Sequence, residues 1–201
     1  AQGLKVEPGT CIKVETGTTL DISDGGDLFL ESDATGDASL IDLGSVSHSG
    51  GGTTKVERYL TEGQWHLIAS PNASATSAMF TGDYLQFYTE SSNMYTDVTS
   101  LSTVLNPMQG YSLWTVDPSP STEVFSGATN TGAQNFSFTK TAGKDGWNLI
   151  GNPYPSVLDW DEVTIPAGLN GGIYLYDPSD GVYDYYLEGA TSGNTATQYI
   201  P

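Results

Sequence analysis

"LKVEPGTCIKVETGTTLDISDGGDLFL", Leu4 to Leu30, repeats one short phrase at every eighth residue. Leu4, Ile12, Leu20 and Leu28 form one apolar series, and Val6, Val14, Ile22 and Leu30 form a second, two positions on. Side chains two apart share a face of an extended chain, so each unit reads as a short strand with two inward residues. Gly9, Gly17 and Gly25 fall between the units, where the chain has to turn. A meander of hairpins and a parallel β-helix both make this pattern. The β-helix is favoured, because three units close a coil and a second round is then readable. Leu28 and Leu30 would stack on Leu4 and Val6, Leu40 would lie near Ile12, and Val56 near Leu20. The stretches Ser32 to Asp37 and Ser45 to Thr54 would be longer corners of that second round. A solenoid of about two coils has too few neighbours to bury its ends, so it requires a cap.

From Trp65 onward the period changes. "GQWHLIASPNA" (Gly63 to Ala73) and "DGWNLIGNPYP" (Asp145 to Pro155) share Trp, Leu-Ile and Pro at one spacing. The first is followed by Leu85-Gln-Phe87-Tyr88 and Met94-Tyr95, the second by Ile173-Tyr174-Leu175-Tyr176 and Val182-Tyr183. This is an internal duplication of antiparallel strands, with each Pro ending a strand because it has no N–H to donate. The predicted fold is all-β: a short right-handed parallel β-helix over residues 1–60, capped by a duplicated antiparallel β-sandwich over 61–201. Its repeats run over about 61–140 and 141–201, with Trp65 and Trp147 in the core between the sheets. The first copy continues into "LNPMQGYSLWT" (Leu105 to Thr115), and the second reaches Pro201 near where the equivalent strand should begin. The second repeat is therefore expected to lack a strand, supplied by further chain or by a neighbouring subunit that donates a strand into a filament.

Hydrophobic residues are 37% and aromatics 11%, enough for a packed core. Six basic residues stand against a net charge of −18, so no basic patch can form for nucleic acid or an anionic membrane. No apolar run reaches membrane-spanning length. The single Cys11 excludes an internal disulfide, and its place beside Ile12 points it outward.

"VERYL…WHLIASP", "NPMQGYSLW" and "GWNLIGNPYPSVLDW" resemble a repeat region of large secreted Bacteroidetes surface proteins exported by type IX secretion. The strand-and-glycine repeats running into Arg58-Tyr59 resemble the same arrangement. The resemblance covers most of the chain. It implies an extracellular or cell-surface location, with other domains or subunits of one assembly as partners, and it implies no catalytic residues.

Catalytic constellations are weak in the sequence. His48 and His66 are the two histidines, and no Gly-x-Ser-x-Gly phrase frames a serine. Asp159, Asp161 and Glu162 surround Trp160, but with Leu158 and Trp160 inward alternation sends Asp159 and Asp161 to water. No enzyme is expected. Asp177, Asp180 and Asp184 around Gly181 are the calcium candidates, against the ordinary use of Asp and Gly in hairpin turns. No other cofactor is expected. The most specific activity on offer is carbohydrate binding, through Tyr174, Tyr176, Tyr183 and Tyr185 with Trp160 nearby, against cross-strand tyrosine pairing that merely stabilises a hairpin. Asn72-Ala-Ser and Asn135-Phe-Ser match the glycosylation acceptor pattern by chance. The leading expectation is a non-catalytic structural or adhesive surface module.

Overall fold

The computed structural model describes residues 3–116, 118–187 and 196–201. The chain is all-β: strands and two short 3-10 turns account for its regular structure, and no α-helix occurs among the described residues. By its internal contacts it divides into two compact units, Ala1–Ser156 and Val157–Pro201.

The first unit opens with β1 (Leu4–Val6), β2 (Cys11–Val14), β3 (Thr19–Ile22) and β4 (Leu28–Leu30). It continues with β5 (Ser32–Asp33), β6 (Gly36–Asp37), β7 (Ser39–Asp42), β8 (Ser45–His48) and β9 (Thr54–Leu60). Three ladders are parallel: β1–β4–β9, β2–β7 and β3–β8. Leu28 and Leu30 lie beside Leu4 and Val6, and Leu40 beside Ile12, as the eight-residue period requires. Val56 differs from expectation. It pairs with Leu30, and the place beside Leu20 belongs to Val46. Ser45–His48 is thus a strand and not a corner. Its signal is faint because His48 sits opposite Ile22, where the earlier strands carry aliphatics; the ring reaches the Thr54 hydroxyl at 3.0 Å.

The insertion at Ser32 to Asp37 folds as the β5–β6 hairpin and docks on β9. Arg58 pairs with Asp37, the Ser32 hydroxyl also donates to Asp37, and the Tyr59 N–H donates to Ser32 Oγ at 2.8 Å. Close backbone stacking sets the glycine at position 52, where a Cβ would stand 1.9 Å from the Gly26 carbonyl oxygen.

The first unit then adds β10 (Trp65–Ile68), β11 (Tyr84–Thr89), β12 (Met94–Asp97), β13 (Tyr111–Trp114) and β14 (Ser121–Ser126). β14 returns antiparallel along β9, giving the sheet β1–β4–β9–β14 with Phe125 opposite Val56. The other four form the antiparallel sheet β10–β13–β11–β12. One core joins the two sheets: Leu28, Leu30, Val56 and Phe125 belong to the same cluster as Phe80, Leu85, Leu105 and Leu113. Phe80 meets Phe125 edge-on at 6.2 Å.

The two tryptophan phrases take different structures. The first is β10, and its core-directed residue is Ile68, so Trp65 points to the other face of the sheet. The second is not a strand, apart from a single bridge between Ile150 and Gln109, and Trp147 is 52% exposed. Neither tryptophan belongs to the core. The second phrase is nonetheless held closely to the first copy. Gly110 N–H donates to Leu149 O at 3.1 Å, Gly151 N–H donates to Met108 O at 3.0 Å, and a Cβ on Gly151 would stand 2.3 Å from Ala69 Cβ. The Asn130 amide donates to Ser70 O at 3.2 Å and to Pro153 O at 2.9 Å, tying together the proline segments of both phrases. Glu90, buried after β11, anchors the intervening chain: its carboxylate accepts from Thr141 N–H at 2.9 Å and Thr141 Oγ1 at 2.7 Å.

The second unit contains β15 (Leu158–Asp159), a 3-10 turn at Trp160–Glu162, β16 (Ile173–Asp177), β17 (Val182–Tyr186) and β18 (Tyr199–Ile200). β15 pairs antiparallel with β18, and β16 with β17. Trp160 is buried, and its indole N–H donates to Gly171 O at 2.7 Å.

Leu28 is fully buried, so Leu28→Ala is expected to lower the unfolding free energy by about 2–5 kcal/mol in a denaturant titration. The hydrogen bonds from Thr141 hold the Glu90 carboxyl below its ordinary value. Its stabilisation is therefore complete above the ordinary carboxylate range and is lost as pH falls through the depressed folded value. Melting curves of wild type should lose stability between about pH 5 and 3 more steeply than those of Glu90→Gln.

Candidate functional site

The β16–β17 hairpin carries the tyrosines singled out above. Its register sets Tyr174 opposite Tyr185 and Tyr176 opposite Tyr183, so all four stand on one face. The ring centroids are 5.8 Å apart in the first pair and 5.2 Å in the second, with the rings tilted. Tyr174, Tyr183 and Tyr185 are exposed and Tyr176 is half-buried. The opposite face carries the buried pair Ile173 and Tyr186. Trp160 is not part of the tyrosine face. Its burial and its bond to Gly171 make it core of the second unit, which removes it as a stacking surface.

Two of the three aspartates of this hairpin, Asp177 and Asp180, serve its turn. Asp177 Oδ1 accepts from the Ser179 N–H at 2.8 Å and from Ser179 Oγ at 2.6 Å, which holds its carboxyl below the usual carboxylate value. Asp180 Oδ1 accepts from the Val182 N–H at 3.1 Å. Asp184 lies within β17 opposite Leu175, on the face away from the tyrosines. Among the described residues no group of three His, Cys, Asp or Glu side chains is placed to hold a metal ion. Of the calcium candidates, Asp177 and Asp180 bond within the hairpin turn and Asp184 lies in β17.

The residues weighed for catalysis are also occupied. His66 Nε2 lies 2.9 Å from the Thr61 carbonyl oxygen, and His48 lies between Thr54 and the Gly26 carbonyl. Asp159 Oδ1 caps the following 3-10 turn by accepting from the Asp161 N–H at 3.1 Å. Asp161 accepts from the Tyr186 hydroxyl at 2.7 Å and 2.9 Å on its two oxygens. Asn72, in the first glycosylation-like triplet, is fully buried, with Oδ1 accepting from the Ala75 N–H at 2.9 Å; Asn135 is exposed. Cys11 is exposed, consistent with its place beside Ile12.

A second aromatic surface went unrecognised in the sequence. On the non-core face of the β10–β13–β11–β12 sheet, Trp65, Trp114 and Tyr84 stand in one cross-strand row. The next row on that face runs through Leu67, Ser112, Gln86 and Asp97. Trp65 and Trp114 meet edge to face at 5.5 Å with an interplanar angle of 65°. Tyr84 is 64% exposed. Together with Gln86 they line a groove of about 420 Å³. Gln86 Nε2 donates to Asp97 Oδ1 at 2.8 Å. The signal that identifies this face is the polar alternation of "YLQFYT" (Tyr84–Thr89), whose Leu85 and Phe87 must point inward and so turn Tyr84 and Gln86 outward.

The chain belongs to DUF8693, a family defined as a domain of unknown function, whose family model matches residues 1–200. No curated protein and no solved structure matches it.

Proposed function

We propose that this chain is a non-catalytic structural or adhesive module of an exported, cell-surface or extracellular assembly. The observation that carries the reading is the state of its potentially catalytic groups. His48, His66, Asp159 and Asp161 each bond to a neighbouring backbone or hydroxyl group, and each has a place in the fold without any substrate. The strongly acidic composition supports it too, since a charge of −18 keeps a protein soluble and disfavours anionic partners. The finer architecture proposed here makes the three parallel ladders the faces of a short right-handed β-helix. The antiparallel sheet β10–β13–β11–β12 then acts as its capping layer. Such a body is stiff and suits the spacing or presentation of other parts of a larger protein. The likeness of "NPMQGYSLW" and "GWNLIGNPYP" to the repeat region of secreted Bacteroidetes proteins supports export by the type IX route. Antibody labelling of intact source cells and of their culture medium tests it. Label on intact cells or in the medium is expected; recovery only after lysis would overturn the reading.

The four-tyrosine face favours a second reading, a carbohydrate-binding module. Exposed rings paired across a hairpin present apolar edges and hydroxyls together, which suits a sugar. Under this reading the double variant Tyr183→Ala, Tyr185→Ala loses glycan binding on an array while keeping its melting temperature within a few degrees. Retained binding would leave the face as a hairpin-stabilising device.

A further inference from the structure

We infer that the groove of Trp65, Trp114, Tyr84 and Gln86 is a binding site for a neutral polysaccharide of β-linked, equatorially substituted hexoses. The inference goes beyond both readings above, since it concerns a different sheet and requires neither export nor the tyrosine hairpin. It starts from sheet geometry. Three strands in register set the aromatic row across the sheet, and adjacent strands lie about 4.8 Å apart, so the row spans roughly 10 Å. That length accommodates a disaccharide unit. A hexose with equatorial hydroxyls has two apolar C–H faces and a polar rim, and therefore needs an aromatic floor with hydrogen-bonding groups beside it. The groove supplies both. The edge-to-face Trp65–Trp114 pair supplies the aromatic surface of the groove, and the exposed Tyr84 extends the row.

Gln86 and Asp97 stand in the adjacent row on the same face. Gln86 gives one N–H to Asp97, and a primary amide carries a second N–H and a carbonyl besides, a donor and an acceptor for sugar hydroxyls. The bond to Asp97 also fixes the amide's orientation, so it is preorganised for a ligand.

Charge and shape select among ligands. All six basic residues lie outside the four strands of this sheet, and Asp97 places a carboxylate on the face. A uronate-rich or phosphorylated polymer would meet repulsion with nothing to offset it. A quaternary ammonium group prefers rings closed around it as a cage, whereas this groove is an open corner. A neutral, flat-faced sugar chain is what remains.

The experiment is calorimetric titration of the full chain with cellohexaose, laminarihexaose and chitohexaose, with polygalacturonate and choline chloride as comparators. Binding of at least one neutral oligosaccharide is expected, with a matching change in tryptophan emission. Tyr84→Ala should weaken it about tenfold, and Trp114→Ala at least as much. Tyr84 is exposed, so its variant tests the site even where Trp114→Ala disturbs β13. The Tyr183→Ala, Tyr185→Ala protein should bind as wild type does, which separates this site from the tyrosine hairpin. Failure of all three neutral oligosaccharides, equal or tighter binding of polygalacturonate or choline, or binding that survives Tyr84→Ala with a normal melting curve would each overturn the inference.

Discussion

Everything in the first unit rests on the apolar stack through β4. Leu28 and Leu30 have Leu4 and Val6 on one side and Thr54 and Val56 on the other, and both leucines are shut off from water. A three-residue strand cannot hold itself; what holds it is that its neighbours present side chains at the same height. The same stack fixes the position of β9, which carries the docked β5–β6 hairpin on Arg58 and Tyr59 and receives β14 along its remaining edge. β14 brings Phe125 against Phe80 and so ties the parallel ladders to the antiparallel sheet. Placement of the aromatic groove therefore depends, through β9 and β14, on leucines in the opening repeat.

Much of this was legible in the sequence because the period was regular. The recurrence of Leu4, Ile12, Leu20 and Leu28 gave the parallel pairings of β1 with β4 and β2 with β7 in their observed register. Legibility ended where a polar residue took an inward place. His48 opposite Ile22 breaks the apolar alternation, so β8 reads as a corner and the neighbour of Leu20 falls at Val56 instead of Val46. Trp65 was the costlier case. Its strand has apolar residues on both faces, and Trp with Leu67 outweighs His66 with Ile68 on any hydrophobicity scale. Pairing of His66 with Leu113 and of Ile68 with Tyr111 decides the matter the other way. Sequence alternation identifies two faces, but only the partner strands say which one is covered.

The duplicated phrase shows how one sequence motif can serve two structural ends. Residues 65–68 have a free edge to pair with β13 and become a strand. In the second copy the same Trp-x-Leu-Ile spacing lies against the turn before β13, held by Gly110, Gly151 and the amide of Asn130. Met108 in that turn has a positive φ of 60°, a conformation a β-carbon disfavours. Glycine at 151 is needed because Ala69 occupies the space of its missing side chain. Local propensity was the same in both copies, and tertiary placement made the difference.

The return of β14 onto β9 has a consequence for how the chain matures. β9 is complete at Leu60, yet the strand that covers its outer edge begins at Ser121, with the whole antiparallel sheet between them in sequence. While the chain is emerging from the ribosome, that edge stays bare and Val56 lacks Phe125. The intervening segment has to be retained without mispairing until its partner arrives. Glu57, which alternates with the apolar positions of β9, and Arg58, a charge in the row between Val56 and Leu60, make that waiting edge a poor template for another copy's strand, so the residues that later dock the hairpin also guard the unfinished protein.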